Sequence, residues 1–465
     1  MIQVSIENVE ILPGHLFEWR MTSPKRVDIA GPSPSGEPTA YNQAKHFTVA
    51  QDVRRANKAA SFYIAGTFDL PGPVDRNALG AALLHFARRH DVLRSSFQQL
   101  GGDVSCDVLE PDDVQVDEHD LGFVDSSAGV RERLHQTFQL VDPLSWPLIV
   151  MGAVIRDTSA TIWFACDHLV TDGLSTPIAM NDIAEAYEAY ANGRAPALPE
   201  TGSHLAFNRE QRRQNAAMDA DDARLDYWKA FIADNGEFFP RFPLDLGVEP
   251  DRLYPTVNET EKFLDADQLE SLEAACRAAG GRLFMGLLAA VGVALRKEGG
   301  PDIYRCLMPV SNRGRGPYAH TMGWFVNPVP LAFPVADGLD FTAVMAHVRA
   351  ATEEMKQHID VPFVKAWELL APEEYERGLW PYPVNVFSYL DYRRSPGAQH
   401  HVSRNARKHV WGSRTNGYGS WMHRSDTGLY MNLLYTDTPQ ARDVMPAYVE
   451  TLTRTLKKLA REAAF

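Results

Sequence analysis

The sequence predicts an α/β (α+β) protein of two lobes, and three observations carry that prediction. Helical and strand-like periodicities alternate in both halves of the chain. The 465 residues, 45% of them hydrophobic and 10% aromatic, hold enough apolar mass for more than one core. A proline-bearing stretch from Pro196 to Pro199, followed by a highly charged one, interrupts the alternation near the middle. The expected division is therefore a lobe over 1–195, a connector over 196–224 that becomes a surface helix, and a second lobe over 225–465.

Taken in order, the residues before Thr39 read as a strand and a surface arm, because Pro32 to Pro38 can continue neither a helix nor a central strand. From Asn77 to Phe97, Leu79, Leu83, Leu84, Phe86, Val92 and Leu93 recur at helical spacing, so an amphipathic helix ending near His90 is expected. Residues 148–166 read as two β-rich runs joined by a polar turn at Arg156 to Ser159. After Gly173, the apolar positions Ile178, Ile183, Ala186, Tyr187 and Tyr190 mark a helix stopped by Asn192-Gly193. The second half repeats the pattern: helices over 266–279 and 283–295, then strands over 303–309, 324–333 and 384–390. The 285–295 apolar run is too short to cross a bilayer and reads as a buried helix.

Composition narrows the function. With 46 basic against 60 acidic side chains the formal charge is −14, which opposes the phosphate attraction behind non-specific nucleic-acid binding. No export signal or spanning segment is recognisable, so a soluble, cytoplasmic protein is expected. Cys106, Cys166, Cys276 and Cys306 form no C-x-x-C pair and fit reduced thiols. His400 and His401 lack a carboxylate or cysteine at metal-ligand spacing, so no metal is expected.

The segment Asp167-His168-Leu169-Val170-Thr171-Asp172-Gly173 follows the second β-rich run and precedes a helix. A histidine there can present an imidazole whose ordinary pKa near ~6.5 suits proton removal from an alcohol or amine. Asp172 is placed to pair with an arginine and lock the turn. Gly173 permits unusual backbone angles or the close approach of a substrate. The residues alone leave open that His168 is a satisfied structural histidine at a strand end.

This stretch resembles the active-site motif of condensation-domain acyltransferases, a superfamily that includes chloramphenicol acetyltransferase and the polyketide-associated acyltransferases of actinobacteria. Two further stretches resemble family motifs in the same order: Arg89-His90-Asp91-Val92-Leu93-Arg94-Ser95-Ser96-Phe97, and Gly323-Trp324-Phe325-Val326-Asn327-Pro328-Val329-Pro330-Leu331. Segments at 13–19, 235–244 and 384–389 are similar to the polyketide-associated members that build acylated trehalose lipids.

The resemblance implies two chloramphenicol-acetyltransferase-like lobes in a V with a central tunnel. It also implies His168 as catalytic base and Asp172 as a structural aspartate whose arginine comes from the second lobe, Arg313 ahead of Arg315. The donor would be a thioester of coenzyme A or of a carrier protein's phosphopantetheine arm, bound as substrate with no resident cofactor. The acceptor would be a small molecule bearing a hydroxyl or amine. Asp167 stands where many peptide-forming relatives carry a first histidine, which favours free-standing ester formation over chain elongation.

Backbone N–H groups near Gly173 and the Trp324 indole are candidate oxyanion donors, and Trp324 and Asn327 are candidate tunnel residues, with core packing as the alternative for both. Arg404, Arg407 and Lys408 belong to an acid-free basic run from Arg393 to Arg414, a candidate dock for donor phosphates or an acidic carrier protein; the alternative is a solvated loop. Two other functions remain open from sequence: a silent carrier-recruiting module, or hydrolysis, dehydration or cyclisation on the same fold. A monomer is expected.

Overall fold

The computed structural model describes residues 1–26, 36–56, 61–100, 102–250, 252–315, 317–376 and 383–465. The chain divides into two units, and neither is contiguous in sequence. The first comprises 1–217, 311–325 and 392–412; the second comprises 218–310, 326–391 and 413–465.

The first unit is built on a seven-stranded sheet in the order Ile2–Gln3, Arg407–Gly412, Phe62–Pro71, Ser159–Cys166, Ile149–Arg156, Gly14–Thr22, Gln115–Val124. Its pairings are antiparallel except between Ile2–Gln3 and Arg407–Gly412. The central strands read as apolar runs because both faces are covered. One face sends Leu16, Tyr63, Ala65, Val154, Trp163 and Ala165 against Val130, Leu134 and Phe138 of the helix Ser127–Phe138. The other face meets the helix Ser175–Ala191, where a Cβ on Gly66 would come within 2.7 Å of Met180. The helix Arg76–Arg89 packs beside it, started by Asp75, whose carboxylate accepts the N–H groups of Asn77 and Ala78.

The second unit has a five-stranded sheet, ordered Ser388–Asp391, Tyr418–Ser425, Gly428–Thr436, Tyr254–Leu264, Arg414–Thr415, and a strand pair, Ile303–Ser311 with Val326–Pro334. Helices Ala266–Ala278, Leu283–Lys297, Phe341–Met355 and Pro439–Glu462 complete its core. Leu283–Lys297 is buried from Met285 to Leu295, as its all-round apolar character demands. Among the described residues no single helix is long and apolar enough to cross a membrane.

Three differences from the sequence expectations have physical causes. The basic run is not one loop: Arg407–Gly412 is a strand paired with Phe62–Pro71 in the first unit's sheet, a long-range pairing that local patterning does not reveal. The 311–325 segment also joins the first unit. The expected connector contains the helix His204–Asn215, which is more than a surface helix, since Asn208 and Asn215 are buried and Arg212 donates to the Thr39 carbonyl at 2.7 Å. At smaller scale, Ser388–Asp391 is preceded only by isolated bridges at Val384 and Val386. Residues Pro32 to Ser35 of the expected arm lie outside the described residues; Glu37–Pro38 pairs with Ser105 and Cys106.

Candidate active site

The buried strand Ser159–Cys166 hands the chain to one 3-10 turn, His168–Val170, before the helix Ser175–Ala191 begins. A buried turn of this kind has no ladder to satisfy its backbone groups, so side chains must supply partners. Asp167 caps it, its Oδ1 accepting the Leu169 N–H at 2.8 Å. Gln43, buried on the helix Tyr41–Arg55, donates to the Leu169 carbonyl at 2.6 Å and in turn accepts from Asn208 at 2.9 Å.

Asp172 is 1% exposed and fully engaged. Its Oδ1 accepts the N–H groups of Leu174 and Ser175 at 3.1 and 3.0 Å, capping a helix whose own N-cap, Leu174, has no side chain to do so. Its Oδ2 accepts from Arg313 and, at 3.1 Å, from the Phe325 N–H. Burial alone would raise the carboxyl's pKa, but the Arg313 charge and these hydrogen bonds outweigh it and hold Asp172 below the usual carboxylate range.

Arg313 is 4% exposed and also donates to Ser175 Oγ and the carbonyls of Thr321 and Gly323 at 2.9, 3.0 and 3.1 Å. Its guanidinium lies over the Phe325 ring, 4.4 Å from the centroid. Arg313 belongs to the first unit, not to the second lobe as the resemblance implied. The Arg315 side chain lies outside the described residues.

His168 itself is partly exposed. Its ring stands 3.9 Å, centroid to centroid, from that of Trp324, with Phe62 at 6.4 Å and His46 at 6.2 Å. Burial first, and His46 second, push its pKa down to about 4; its own carbonyl, Asp167 and Asp172 pull weakly the other way. Nδ1 makes no hydrogen bond to another described residue. At neutral pH the ring is therefore an unprotonated base. Asp172 does not touch it: that carboxylate orients the turn, and Trp324 flanks the ring.

Gly173 takes no positive φ, so the first of its two expected uses does not apply. Its N–H has no acceptor among the described residues. Its carbonyl accepts from Lys408 Nζ at 3.4 Å. Lys408 is 2% exposed, so it belongs to no surface patch, and burial lowers its pKa to about 8. Arg404 is already paired with Glu185 at 3.5 Å and Arg407 is partly buried on the strand; the expected phosphate dock is not an open basic surface.

Asn327 lies in the second unit, 3% exposed. Its amide donates to the carbonyls of Ile359 and Val361 at 3.1 and 2.7 Å and accepts the Phe363 N–H at 2.9 Å. With both donors and the acceptor engaged, it is a brace for that segment rather than a substrate contact.

The stretch after the helix Arg76–Arg89 also braces. Arg89 and His90 both reach Asp182 Oδ2, at 2.8 and 3.0 Å, and His90 Nδ1 accepts the Met322 N–H at 3.3 Å, which places the ring proton on Nε2. Sequence reading missed His46, Gln43, Ser175 and the burial of Lys408. Each acts through a partner far along the chain, and no local pattern marks it.

Comparisons with known proteins identify the family. The condensation-domain family model matches residues 54–378. Trehalose-2-sulfate acyltransferase PapA2 of Mycobacterium tuberculosis is 28% identical over 448 residues, covering 95% of this chain and 93% of that protein. Acyltransferase PapA3 of the same organism is 25% identical, covering 96% and 94%. The solved structure of a PapA2 acyl transferase superposes with a TM-score of 0.87 at 26% identity, over 99% of this chain and 100% of that one. With a family model spanning well over half its length, and the histidine turn and its arginine latch formed within that span, the chain belongs to the condensation-domain family and is an acyltransferase.

Proposed function

We propose that the chain moves an acyl group from a thioester, borne by coenzyme A or by a carrier protein's phosphopantetheine arm, onto a hydroxyl or amine acceptor. His168 acts as general base. The observation that carries this reading is the His168 imidazole, beside Trp324 and with Nδ1 unbonded to any other described residue, standing on a turn locked by the buried Asp172–Arg313 pair. His168 takes the acceptor's O–H proton as the oxygen attacks the thioester carbonyl. The C–O bond forms, the C–S bond then breaks, and the imidazolium returns the proton to the departing thiolate. No acyl-enzyme is needed, and no cofactor beyond the thioester substrate.

A base this weak contributes less by its strength than by its placement, and holding two substrates in line is worth several kcal/mol (~7–11) in favourable cases. The free Gly173 N–H serves the oxyanion. The relatives' names favour a carbohydrate hydroxyl as acceptor. Coenzyme A thioesters and loaded carrier proteins are intracellular donors, which is where we place the reaction.

The test is a panel of acyl-coenzyme A and acyl-carrier thioesters with and without carbohydrate alcohols, simple alcohols and amines, followed by thiol release and by mass spectrometry. Acceptor-dependent release with an acylated product is expected. Release without any acceptor would indicate hydrolysis instead, and binding of carrier protein without release would indicate recruitment.

A further inference from the structure

The residue before the base is an aspartate, and the structure sets a second imidazole beside it from another part of the chain. His46, on the helix Tyr41–Arg55, places Nε2 3.2 Å from Asp167 Oδ1, the atom that also caps the His168 turn. The His46 ring lies 6.2 Å from the His168 ring and edge-on to Trp324 at 5.7 Å. Its side chain is 29% exposed, against 3% for Asp167. A carboxylate only accepts, so His46 Nε2 carries a proton in either charge state, and Nδ1 is the atom that gains or loses one.

We propose that His46, seated on Asp167, is a positioning residue for acyl transfer: its charge keeps the neighbouring His168 imidazole free to accept a proton. Two imidazolium ions this close oppose each other, while the carboxylate between them favours the cation on the ring it touches. Asp167 touches His46, so a cation on that ring rests directly against its carboxylate. Among the other charges around His168, Asp167 and Asp172 act in the opposite direction to His46, Asp172 being paired with Arg313, and Lys408 donates to the Gly173 carbonyl. The direction of the His168 shift agrees, since His46 is the second-largest influence lowering it, after burial.

This inference rests on His168 being the base of the acyl transfer proposed above, so its test has one arm that needs no turnover. Protein carrying 15N-labelled histidine is titrated by NMR as wild type, His46→Gln and His46→Lys, and the pH dependence of kcat/KM is measured on the same three. His46→Gln keeps a donor for Asp167 and removes the titrating group. We expect the His168 midpoint, and the acidic limb of kcat/KM with it, to move up by about half a pH unit or more. His46→Lys keeps a cation at every working pH and should leave both at or below the wild-type position. An unmoved His168 midpoint in His46→Gln overturns the proposal. A moved midpoint in a protein that transfers no acyl group from any donor leaves the coupling standing and removes the acyl-transfer reading instead.

Discussion

Arg313 reaches across 141 residues of chain to the carboxylate of Asp172, and the Phe325 N–H lands on the same oxygen at 3.1 Å. The base of the site is therefore held in place by an ion pair it never touches. Both partners are buried, so removing either strands an uncompensated charge or donor, a change that costs about 3–5 kcal/mol. Asp172→Ala and Arg313→Ala should each lower Tm by several degrees and reduce kcat/KM severely. Arg313→Lys should fail to restore either, because one ammonium cannot serve a carboxylate, a hydroxyl and two carbonyls at once. Thermal unfolding alongside the thioester assay checks this; an Arg313→Lys enzyme with wild-type Tm would refute it.

The same pair gives a pH signature. Asp172 has a folded pKa below its unfolded value of about 3.9, so its contribution is fully present above that pH and is lost as pH falls through the folded value. Urea unfolding of wild type and Asp172→Asn should show a wide stability gap from pH 5 to 7 that narrows below about pH 4. A gap independent of pH across that range would show that the carboxylate's charge is not what stabilises the turn.

His168→Ala should behave differently from both. The ring makes no hydrogen bond to another described residue and is partly exposed, so its loss should leave Tm nearly unchanged while removing a general base worth about 10²–10⁴-fold in rate. In the wild type the base must be unprotonated to act. With its pKa near 4, kcat/KM should rise with pH through about 4 and be flat by pH 6, not follow an ordinary histidine near ~6.5. A stopped assay over pH 3.5 to 8 with stability controls reads this directly.

How much of this was legible in the sequence depends on the range of the interaction. The strand, turn and helix around His168 are local: an apolar β-rich run gives way to helical spacing across seven residues, and the structure places Ser159–Cys166 and Ser175–Ala191 on either side. Arg313 was reachable only through family resemblance, because nothing in its neighbours announces a partner 141 positions earlier. Lys408 was misread because a run of like charges ordinarily marks a solvated surface. The strand from Arg407 to Gly412 instead turns that side chain inward, to the Gly173 carbonyl, through a pairing with Phe62–Pro71. His46 carries no local signal, since its meaning depends on which turn its helix packs against.

Gly323 has φ +144°, and a Cβ there would come within 2.3 Å of His204 Cδ2, on a buried ring whose Nε2 donates to the Trp324 carbonyl at 3.3 Å. Its own N–H and carbonyl meet Ser175 Oγ, each at 3.2 Å. Gly323→Ala should therefore cost about 1–3 kcal/mol through strain and clash together, and it should slow turnover by displacing Trp324 from His168. A variant with intact Tm and intact kcat would show that the 321–325 segment adapts without consequence.

Lys408 gives a pH dependence of the same sign as Asp172, in an alkaline window instead of an acidic one. Its folded pKa is lowered to about 8, by burial, while the unfolded lysine titrates near ~10.4. Between those values the unfolded chain binds more protons than the folded one, so stability from this group rises as pH climbs from about 8 to about 10. Lys408→Met keeps the length of the side chain and removes the buried charge, a replacement that is often neutral or stabilising. The variant should therefore match or exceed wild-type stability at pH 7, and its advantage should shrink toward pH 10. Should Lys408→Met instead lose stability at pH 7 by more than about 2 kcal/mol, the bond from Nζ to the Gly173 carbonyl outweighs the cost of burying the ammonium, and the lysine would count among the residues that hold the turn.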